Sequence, residues 1–361
     1  MNKKDIVSAA INHTSSMGLP FDIFEGWMWP QPTELLLKRF DANEYDDLLD
    51  KMGVYCRWVM AKYMGPPLPQ GAMDRIASPH TTHSLNASIW GLGPGLKKHG
   101  LGEGGHPLSN AQSKDDVYSY EFWPSADWFD YQGLRRSAAR YEDFFVVVGG
   151  FSPIFYLIAD LCGMQKALMD MIQNPELVYA LVEKIVEFYE NYFSRICKAG
   201  HGKIDAIAFG DDFASQQSTL MSPNHWRKYF KPAWQKLFNI AKRNGYIVMF
   251  HTCGSVYEVI PDLIEIGLDI LYPVQPLARS MDLERLQRQF GSSLTFYGGI
   301  DVQDLLPFGS LEEIESEVTR IAGLFKAGGY ILSTSHVIMN DVPEENILAL
   351  YDAAKRIASQ L

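Results

Sequence analysis

The feature that most constrains the fold of this chain is a repeated order of short apolar runs and amphipathic segments. Between the later apolar runs, the apolar residues recur with helical spacing, as in "SLEEIESEVTRIAGLFKAGG" at 310–329, which starts with serine and ends with glycine. Apolar strands that alternate with helices are typical of parallel sheets buried on both faces. Eight such runs occur, at 21–27, 54–63, 144–150, 206–212, 246–252, 270–275, 294–301 and 330–336.

Eight strand–helix units in a chain of 361 residues predict an α/β fold of the (β/α)8 TIM barrel type, with 1–361 as a single domain. An open nucleotide-binding sheet is the alternative, but no G-x-G-x-x-G motif follows an early strand. The interval 64–143, after the second run, is long and rich in Pro, Gly and Trp. We expect it to be a structured, cap-like insertion at the mouth of the barrel, because it follows the end of a strand. An edge subdomain without a role in the site is the other interpretation.

The bulk composition excludes several classes of function. A net charge of −11 argues against a nucleic-acid binder, because no basic field is present to replace phosphate counterions. No apolar stretch approaches the roughly 20 residues that cross a membrane, and the first residues, "MNKKDIVSAAINHT", do not read as a signal peptide. The four cysteines are widely scattered, which does not suggest a disulfide framework. We therefore expect a cytoplasmic protein.

Polar residues at the ends of the predicted strands are the candidates for chemistry. Barrel strands carry functional side chains where they end at the mouth, while their interiors stay aliphatic. The residues in these positions are Glu25, Tyr63, Asp211, Asp212, His251, Cys253, Gln275, Asp301 and His336.

The sequence His251-Thr252-Cys253 suggests half of a metal site. Side chains alternate along a strand, so His251 and Cys253 lie on the same side and can reach one ion. Imidazole, thiolate and carboxylate are the groups that zinc uses, and His336 at the end of the eighth strand is placed to be a third ligand. The alternatives are a structural pair packed in the barrel wall and a hydrogen-bonded histidine at a strand end.

Asp211 and Asp212 are adjacent, so both cannot point into the pocket from one strand. We expect one carboxylate to face the mouth, as a further metal ligand or a proton carrier. The other would cap a neighbouring helix or turn.

Four segments resemble the uroporphyrinogen decarboxylase superfamily: "GDDFASQQSTLMSPNHWRKYFKP", "FHTCGSVYEVIPDLIEIGLDILYPVQP", "FYGGIDVQDLLPFGSLEEIESEV" and "GGYILSTSHVIMNDVPEENI". The resemblance covers roughly residues 140–360 well and the first 140 more loosely. It implies a (β/α)8 barrel. True uroporphyrinogen decarboxylases carry an "RQAGRY"-type stretch near the N-terminus that binds the carboxylates of the tetrapyrrole. Here that region reads "FDIFEGWMWPQPTELLLKRF", which argues against that activity.

The other branch of the superfamily consists of corrinoid-linked methyltransferases, which this chain resembles more closely. They hold zinc with an H-x-C pair and a cysteine in a "PGC"-like turn; here "STSHVI" places His336 at the third position. The resemblance implies zinc at His251, Cys253 and His336. It also implies methyl transfer between a small substrate, such as a methoxylated aromatic, a methylamine or a thiol, and a corrinoid (cobalamin) carried by a separate protein. A homodimer would be in keeping with the superfamily.

The remaining candidates are assigned by position and composition. We expect Asp211, Asp212, Gln275 and Asp301 to act in catalysis. The aromatic segments "GWMWP" and "FWPSADWFDY" would line a pocket for an apolar methyl donor. Glu25, Trp27, Tyr63, Trp123 and Trp128 are the residues we expect to bind substrate, although aromatic residues are also ordinary core material.

Two other functions stay open. One is decarboxylation of another carboxylated substrate without metal, with Asp212 as the electrostatic partner. The other is a barrel that binds a ligand or corrinoid without turning it over.

Overall fold

The computed structural model describes residues 2–14, 18–67, 89–92 and 105–360. The strands in the described part of the chain are β1 Cys56–Val59, β2 Lys62–Tyr63, β3 Phe129–Asp130, β4 Phe145–Gly149, β5 Ala206–Gly210, β6 Ile247–His251, β7 Ile270–Val274, β8 Thr295–Ile300 and β9 Tyr330–Thr334. Seven of them form one curled parallel sheet, in the order β1-β4-β5-β6-β7-β8-β9, and β2 and β3 form a small antiparallel sheet outside it. Each strand of the large sheet lies next to the strand of that sheet that precedes it along the chain, as expected for a barrel of the TIM type.

The segment around Phe21 joins the last strand to the first. Phe21 forms a parallel bridge with Leu332 in β9, and the Asp22 amide donates to the Leu332 carbonyl at 2.8 Å. On the other side the Tyr55 amide, next to β1, donates to the Phe21 carbonyl at 3.0 Å. The α/β barrel prediction is therefore confirmed, with this short segment in the place of one of the eight strands.

Two of the predicted strands differ in detail. The run 21–27 is reduced to the bridge at Phe21, because the chain then enters a 3-10 turn, Phe24–Gly26, in which Glu25 and Gly26 have φ of 46° and 72°. Positive φ values cannot continue a strand. The run 54–63 is split between β1 and β2, which belong to different sheets.

Helices follow most strands and cover the outside of the sheet. They are Lys3–Ile11, Pro30–Arg39, Tyr45–Met52, Lys114–Tyr118, Tyr131–Ala138, Phe155–Cys162, Met164–Gln173, Pro175–Gly200, Pro223–Tyr229, Lys231–Arg243, Ile260–Glu265, Leu283–Phe290, Leu305–Phe308, Leu311–Leu324 and Glu344–Gln360, with 3-10 turns at Phe24–Gly26, Ala126–Trp128 and Tyr257–Val259.

The apolar core has an inner and an outer layer. The inner layer fills the barrel with alternate residues of its strands, among them Val147, Ala208, Met249 and Tyr272. The larger outer layer lies between the sheet and the helices. A strand that is buried on both faces reads as a continuous apolar run, which explains the pattern in the sequence.

The described part of 64–143 packs along the long helix Pro175–Gly200. Tyr118 donates a hydrogen bond to Glu183 at 2.8 Å, and the Arg195 guanidinium lies 2.5 Å from the Asp127 carboxylate. Residues 68–88 and 93–104 lie outside the described residues. A role for this segment as a cap over the mouth therefore stays a prediction.

Two further expectations bear on the class of protein. Among the helices in the described part of the chain, none is long and apolar enough to cross a membrane. The four cysteines are all free thiols, as their spacing indicated.

We expect Trp234→Ala to destabilise the protein by about 3–5 kcal/mol, because Trp234 is fully buried between its helix and the sheet, 4.8 Å from the ring of Phe250. Urea unfolding followed by circular dichroism measures the change. Trp29→Ala is the control, because Trp29 is 37% exposed, and its cost should be far smaller. Equal losses for the two variants would contradict the assignment of Trp234 to the core.

Candidate metal site at the mouth of the barrel

Three potential metal ligands converge at the carboxyl ends of β5 and β6. One donor atom from each of Asp212, His251 and Cys253 lies within 4.8 Å of the others. The His251 Nε2 atom is 3.5 Å from the Cys253 Sγ atom and 3.8 Å from the Asp212 Oδ1 atom. Donors bound to one tetrahedral zinc ion lie about 3.5 Å apart, given zinc–ligand bonds of about 2.0–2.3 Å. Both the chemistry and the spacing of these donors therefore fit a zinc ion.

His251 ends β6 and points into the barrel. It pairs in register with Gly210 of β5 and Tyr272 of β7. A Cβ atom on Gly210 would lie 2.7 Å from the His251 Cβ atom, closer than real Cβ contacts. Position 210 therefore admits only glycine while the imidazole keeps this place.

Glu25 orients the imidazole from the opposite side. Its Oε1 atom lies 3.1 Å from His251 Nδ1 and accepts a hydrogen bond from the Tyr272 hydroxyl at 3.3 Å. Burial, together with the Glu25 carboxylate, raises the pKa of Tyr272 well above its usual value, so its hydroxyl remains a donor. With the Nδ1 proton directed at Glu25, Nε2 is the ring nitrogen that faces Cys253 and Asp212, where a bound cation would take the place of its proton. A carboxylate behind a ligating histidine is the usual second partner in protein zinc sites.

The turn that carries Cys253 is fixed by three hydrogen bonds. The Cys253 amide donates to Asp212 Oδ1 at 2.8 Å, the Gly254 amide to Gln275 Oε1 at 2.8 Å, and the Ser255 amide to the Ser215 carbonyl at 2.8 Å. Gly254 has φ of +80°, and a Cβ atom there would lie 2.5 Å from the Ser215 carbonyl oxygen. Gln275, predicted to be catalytic, is thus placed where it holds the turn.

The protonation of the sulfur depends on its surroundings. Burial raises the pKa of the Cys253 thiol, the Asp212 carboxylate adds to this, and His251 opposes it. For His251, burial alone lowers the pKa, but Cys253 and Glu25 outweigh burial and raise the pKa well above its usual value. A bound cation would favour the thiolate.

The adjacent aspartates have separate roles. Asp212 belongs to the group of donors, and its side chain is 28% exposed. Asp211 is fully buried and faces away; its carboxylate accepts the amides of Phe155 and Tyr156 at 2.8 and 3.0 Å, at the start of the helix Phe155–Cys162. Burial raises the pKa of Asp211 to about 7, against the effect of these amides. The geometry agrees with one carboxylate facing the mouth and the other capping a helix, and a catalytic role for Asp211 stays a prediction.

Asp301 also contacts backbone. Its carboxylate accepts the amides of Gln303, Asp304 and Leu305 at 3.2, 2.7 and 3.0 Å, and so caps the short helix Leu305–Phe308. This position at the end of β8 was the reason to expect catalysis. These contacts show that Asp301 shapes the turn after the strand, and its catalytic role stays a prediction.

His336 lies beside the group of donors but is not one of its three members. Its ring stacks on Phe24 with centroids 5.1 Å apart, and its centroid is 6.5 Å from that of His251. The side chain is partly exposed. His336 as a zinc ligand therefore stays a prediction, and Asp212 occupies the place of a third donor in the structure.

The aromatic candidates lie in two places. Trp27 packs against the inner layer of the barrel, and its shielded indole N–H has no hydrogen-bond partner among the described residues. Tyr63 packs on Trp128, with ring centroids 6.2 Å apart, in the outer two-stranded sheet. Trp123 contacts Trp90 in the outer layer of the core.

The rings around His251 were missed by sequence reasoning. Phe24, Phe151 and Tyr272 have ring centroids 5.8, 5.5 and 5.3 Å from that of the imidazole. Each lies within a few residues of a strand end, which is the signal that could have found them. They surround the histidine with apolar surface and limit the access of water.

Comparison with known proteins identifies the family of this chain. A family model described as uroporphyrinogen decarboxylase (URO-D) matches residues 131–357, well over half of the chain. The chain belongs to the uroporphyrinogen decarboxylase (URO-D) family. The resemblance seen in the sequence is thus confirmed.

Curated proteins with different activities are similar to this chain. A uroporphyrinogen decarboxylase of Prochlorococcus marinus (strain NATL2A) is 26% identical over 187 residues, which are 51% of this chain and 49% of that protein. A methylated-thiol–coenzyme M methyltransferase of Methanosarcina mazei is 22% identical over 221 residues, 60% of this chain and 54% of that protein. The chain thus spans about half the length of the curated relatives it matches.

One solved structure agrees with this fold over the whole length. The structure of a methyltransferase from Methanosarcina mazei matches with a TM-score of 0.62 and 20% identity, and covers 99% of both chains. At this identity the match shows a shared fold.

We expect Gly210→Ala to lower the free energy of unfolding by about 1–3 kcal/mol, because the added methyl group meets the His251 Cβ atom, which cannot move without shifting β6. Urea unfolding measures the change. The matched control is Gly323→Ala, in the helix Leu311–Leu324, where nothing lies within 4 Å of the added Cβ atom. That change should be neutral or stabilise by up to about 1 kcal/mol. A neutral Gly210→Ala would contradict the close packing at His251.

Proposed function

We propose that this protein is a zinc-dependent methyltransferase that moves a methyl group between a small methylated substrate and a corrinoid carried by a separate protein. The observation that carries the proposal is the convergence of Asp212, His251 and Cys253 at the mouth of the barrel. The similarity to a methyltransferase over the whole fold supports it.

His251, Cys253 and Asp212 would hold the zinc ion, with His336 as the candidate for a further or alternative ligand. When bound, the ion supplies a Lewis acid that polarises the heteroatom bearing the methyl group. Glu25 keeps the Nδ1 proton of His251 in place and so leaves Nε2 as the donor. The rings of Phe24 and Phe151 exclude water from this side of the imidazole.

The substrate is a methoxylated aromatic, a methylamine or a methylated thiol. Trp27 packs against the inner layer of the barrel, and its indole would form part of the wall of the substrate pocket. Tyr63, Trp123 and Trp128 would contribute to substrate binding from outside the barrel, where Tyr63 packs on Trp128 and Trp123 packs on Trp90.

Decarboxylation is the second candidate, favoured by the decarboxylases among the relatives. The surroundings of the site argue against uroporphyrinogen as the substrate. Among the described residues, His251 contacts the carboxylates of Glu25 and Asp212, the thiol of Cys253 and aromatic rings. Arg57 in β1 lies elsewhere, 3.9 Å from the ring centroid of Phe144, and pairs with Asp50. A substrate with eight carboxylates needs arginines in the pocket.

The purified protein should bind close to one zinc ion per chain, and combining His251→Ala with Cys253→Ser should abolish binding. The loss should exceed the about 10–100-fold that removal of an outer hydrogen-bonding partner costs, because two donors are removed. Elemental analysis and competition with a chelator measure stoichiometry and affinity.

The matched control for zinc binding combines His201→Ala with Cys162→Ala, which removes the same residue types away from the site. Single variants Asp212→Ala and His336→Ala then identify the third ligand by the larger loss of affinity. A folded wild-type protein that binds no zinc would overturn the metal assignment.

With zinc bound, the protein should transfer methyl groups from at least one member of a panel of methoxylated aromatics, methylamines and methylated thiols to cob(I)alamin. The absorbance change on formation of methylcobalamin measures the rate, and His251→Ala should reduce it to background. Uroporphyrinogen serves as the parallel substrate for decarboxylation. Carbon dioxide release with no methyl transfer would favour the second candidate, and tight corrinoid binding with neither reaction would favour a non-catalytic barrel.

A further inference from the structure

We propose that the hydroxyl group of Tyr297, held in place by Asp22, is a positioning group for His251 that acts through Glu25. The inference rests on the proposed metal site, since its effect is on how well His251 binds the ion. Neither Tyr297 nor Asp22 is within the group of donors.

The backbone of Glu25 has an unusual conformation. Its φ and ψ are 46° and 23°, in the left-handed region, and its side chain is buried. A residue with a Cβ atom rarely adopts this conformation, and it persists only where the surroundings fix it. The conformation turns the carboxylate towards His251 Nδ1, at 3.1 Å.

Tyr297 is the group that holds this turn. The amide of Glu25 donates to the Tyr297 hydroxyl oxygen at 3.3 Å. The hydroxyl proton is then directed at Asp22 Oδ2 or at the carbonyl of Ile23, each 3.1 Å away. Burial raises the pKa of Tyr297 well above its usual value, with the Asp22 charge adding to it, so the hydroxyl keeps its proton.

Asp22 fixes the hydroxyl in turn. It is fully buried, and its Oδ2 atom also accepts a hydrogen bond from Trp58 Nε1 at 3.0 Å. Trp58 of β1 and Tyr297 of β8 therefore both donate hydrogen bonds to one carboxylate oxygen of Asp22, on the segment that closes the barrel. Such a buried network has little freedom to rearrange.

The two ends of Glu25 are thus tied to different strands. Tyr297 of β8 accepts its amide, and Tyr272 of β7 donates to its carboxylate. Removing the Tyr297 hydroxyl leaves the buried Glu25 amide without this acceptor, which favours relaxation of the strained turn. The carboxylate then moves relative to His251 Nδ1, and the imidazole is held less firmly for metal binding.

The test is Tyr297→Phe, with zinc affinity measured by chelator competition and ligand geometry by the absorption spectrum of the Co²⁺-substituted protein. We expect zinc affinity to fall about tenfold, the lower end of what loss of an outer partner costs, and the cobalt bands to shift. Tyr330→Phe is the matched control, because Tyr330 is equally buried and donates to the Gly298 carbonyl, in the outer layer of the core. It should leave affinity and spectrum unchanged.

A double-variant cycle tests whether Tyr297 acts through Glu25. In the background of Glu25→Gln, Tyr297→Phe should cause no further loss of zinc affinity, whereas an independent structural effect would add. If Tyr297→Phe does not fold, Asp22→Asn replaces it, because it removes the charge of the carboxylate that fixes the Tyr297 hydroxyl. It should also weaken zinc binding.

Wild-type affinity in Tyr297→Phe, an equal loss in Tyr330→Phe, or an additive cycle would each overturn this inference and leave the metal site standing. Absence of zinc binding by the wild-type protein would instead overturn the metal site, and this inference with it.

Discussion

The buried contact between Glu25 and His251 is the interaction on which the arrangement of the site depends. Glu25 follows directly on the segment that joins β9 to β1, and His251 ends β6 on the other side of the barrel. The same segment of chain therefore closes the sheet and orients the imidazole of His251. Two residues on the strands next to β6 also contribute. Gly210 leaves space for His251, and Tyr272 donates a hydrogen bond to Glu25.

The strand ends were the most predictable part of the molecule. Because parallel strands in a barrel all end at one mouth, the position of His251 and Cys253 followed from the order of the apolar runs and from alternation along β6. Their proximity is confirmed, because the Cys253 Sγ atom lies 3.5 Å from the His251 Nε2 atom. The first run failed as a strand, since two successive positive φ values at Glu25 and Gly26 are set by tertiary contacts that leave no signal in a short window.

Roles at the strand ends were less predictable than positions. Asp211 and Asp301 have the residue type and place of catalytic groups, yet both carboxylates accept backbone amides of following elements. Which of two adjacent carboxylates turns inward depends on where β5 stops, and strand boundaries are poorly defined by sequence. Aromatic content likewise does not say which side of a sheet a ring covers, so Trp123 and Trp128 were grouped with residues from which the fold separates them.

The bridge between Phe21 and Leu332 has a consequence for how the protein is made. Residues His251 and Cys253 leave the ribosome well before β9, the strand on which the Glu25 segment rests. A nascent chain at that stage already contains Glu25, but without β9 the Glu25 carboxylate is not yet held beside the imidazole. In the proposed function, zinc bound at that stage would be held less firmly than in the folded barrel, so we expect firm binding only after β9 has joined the sheet.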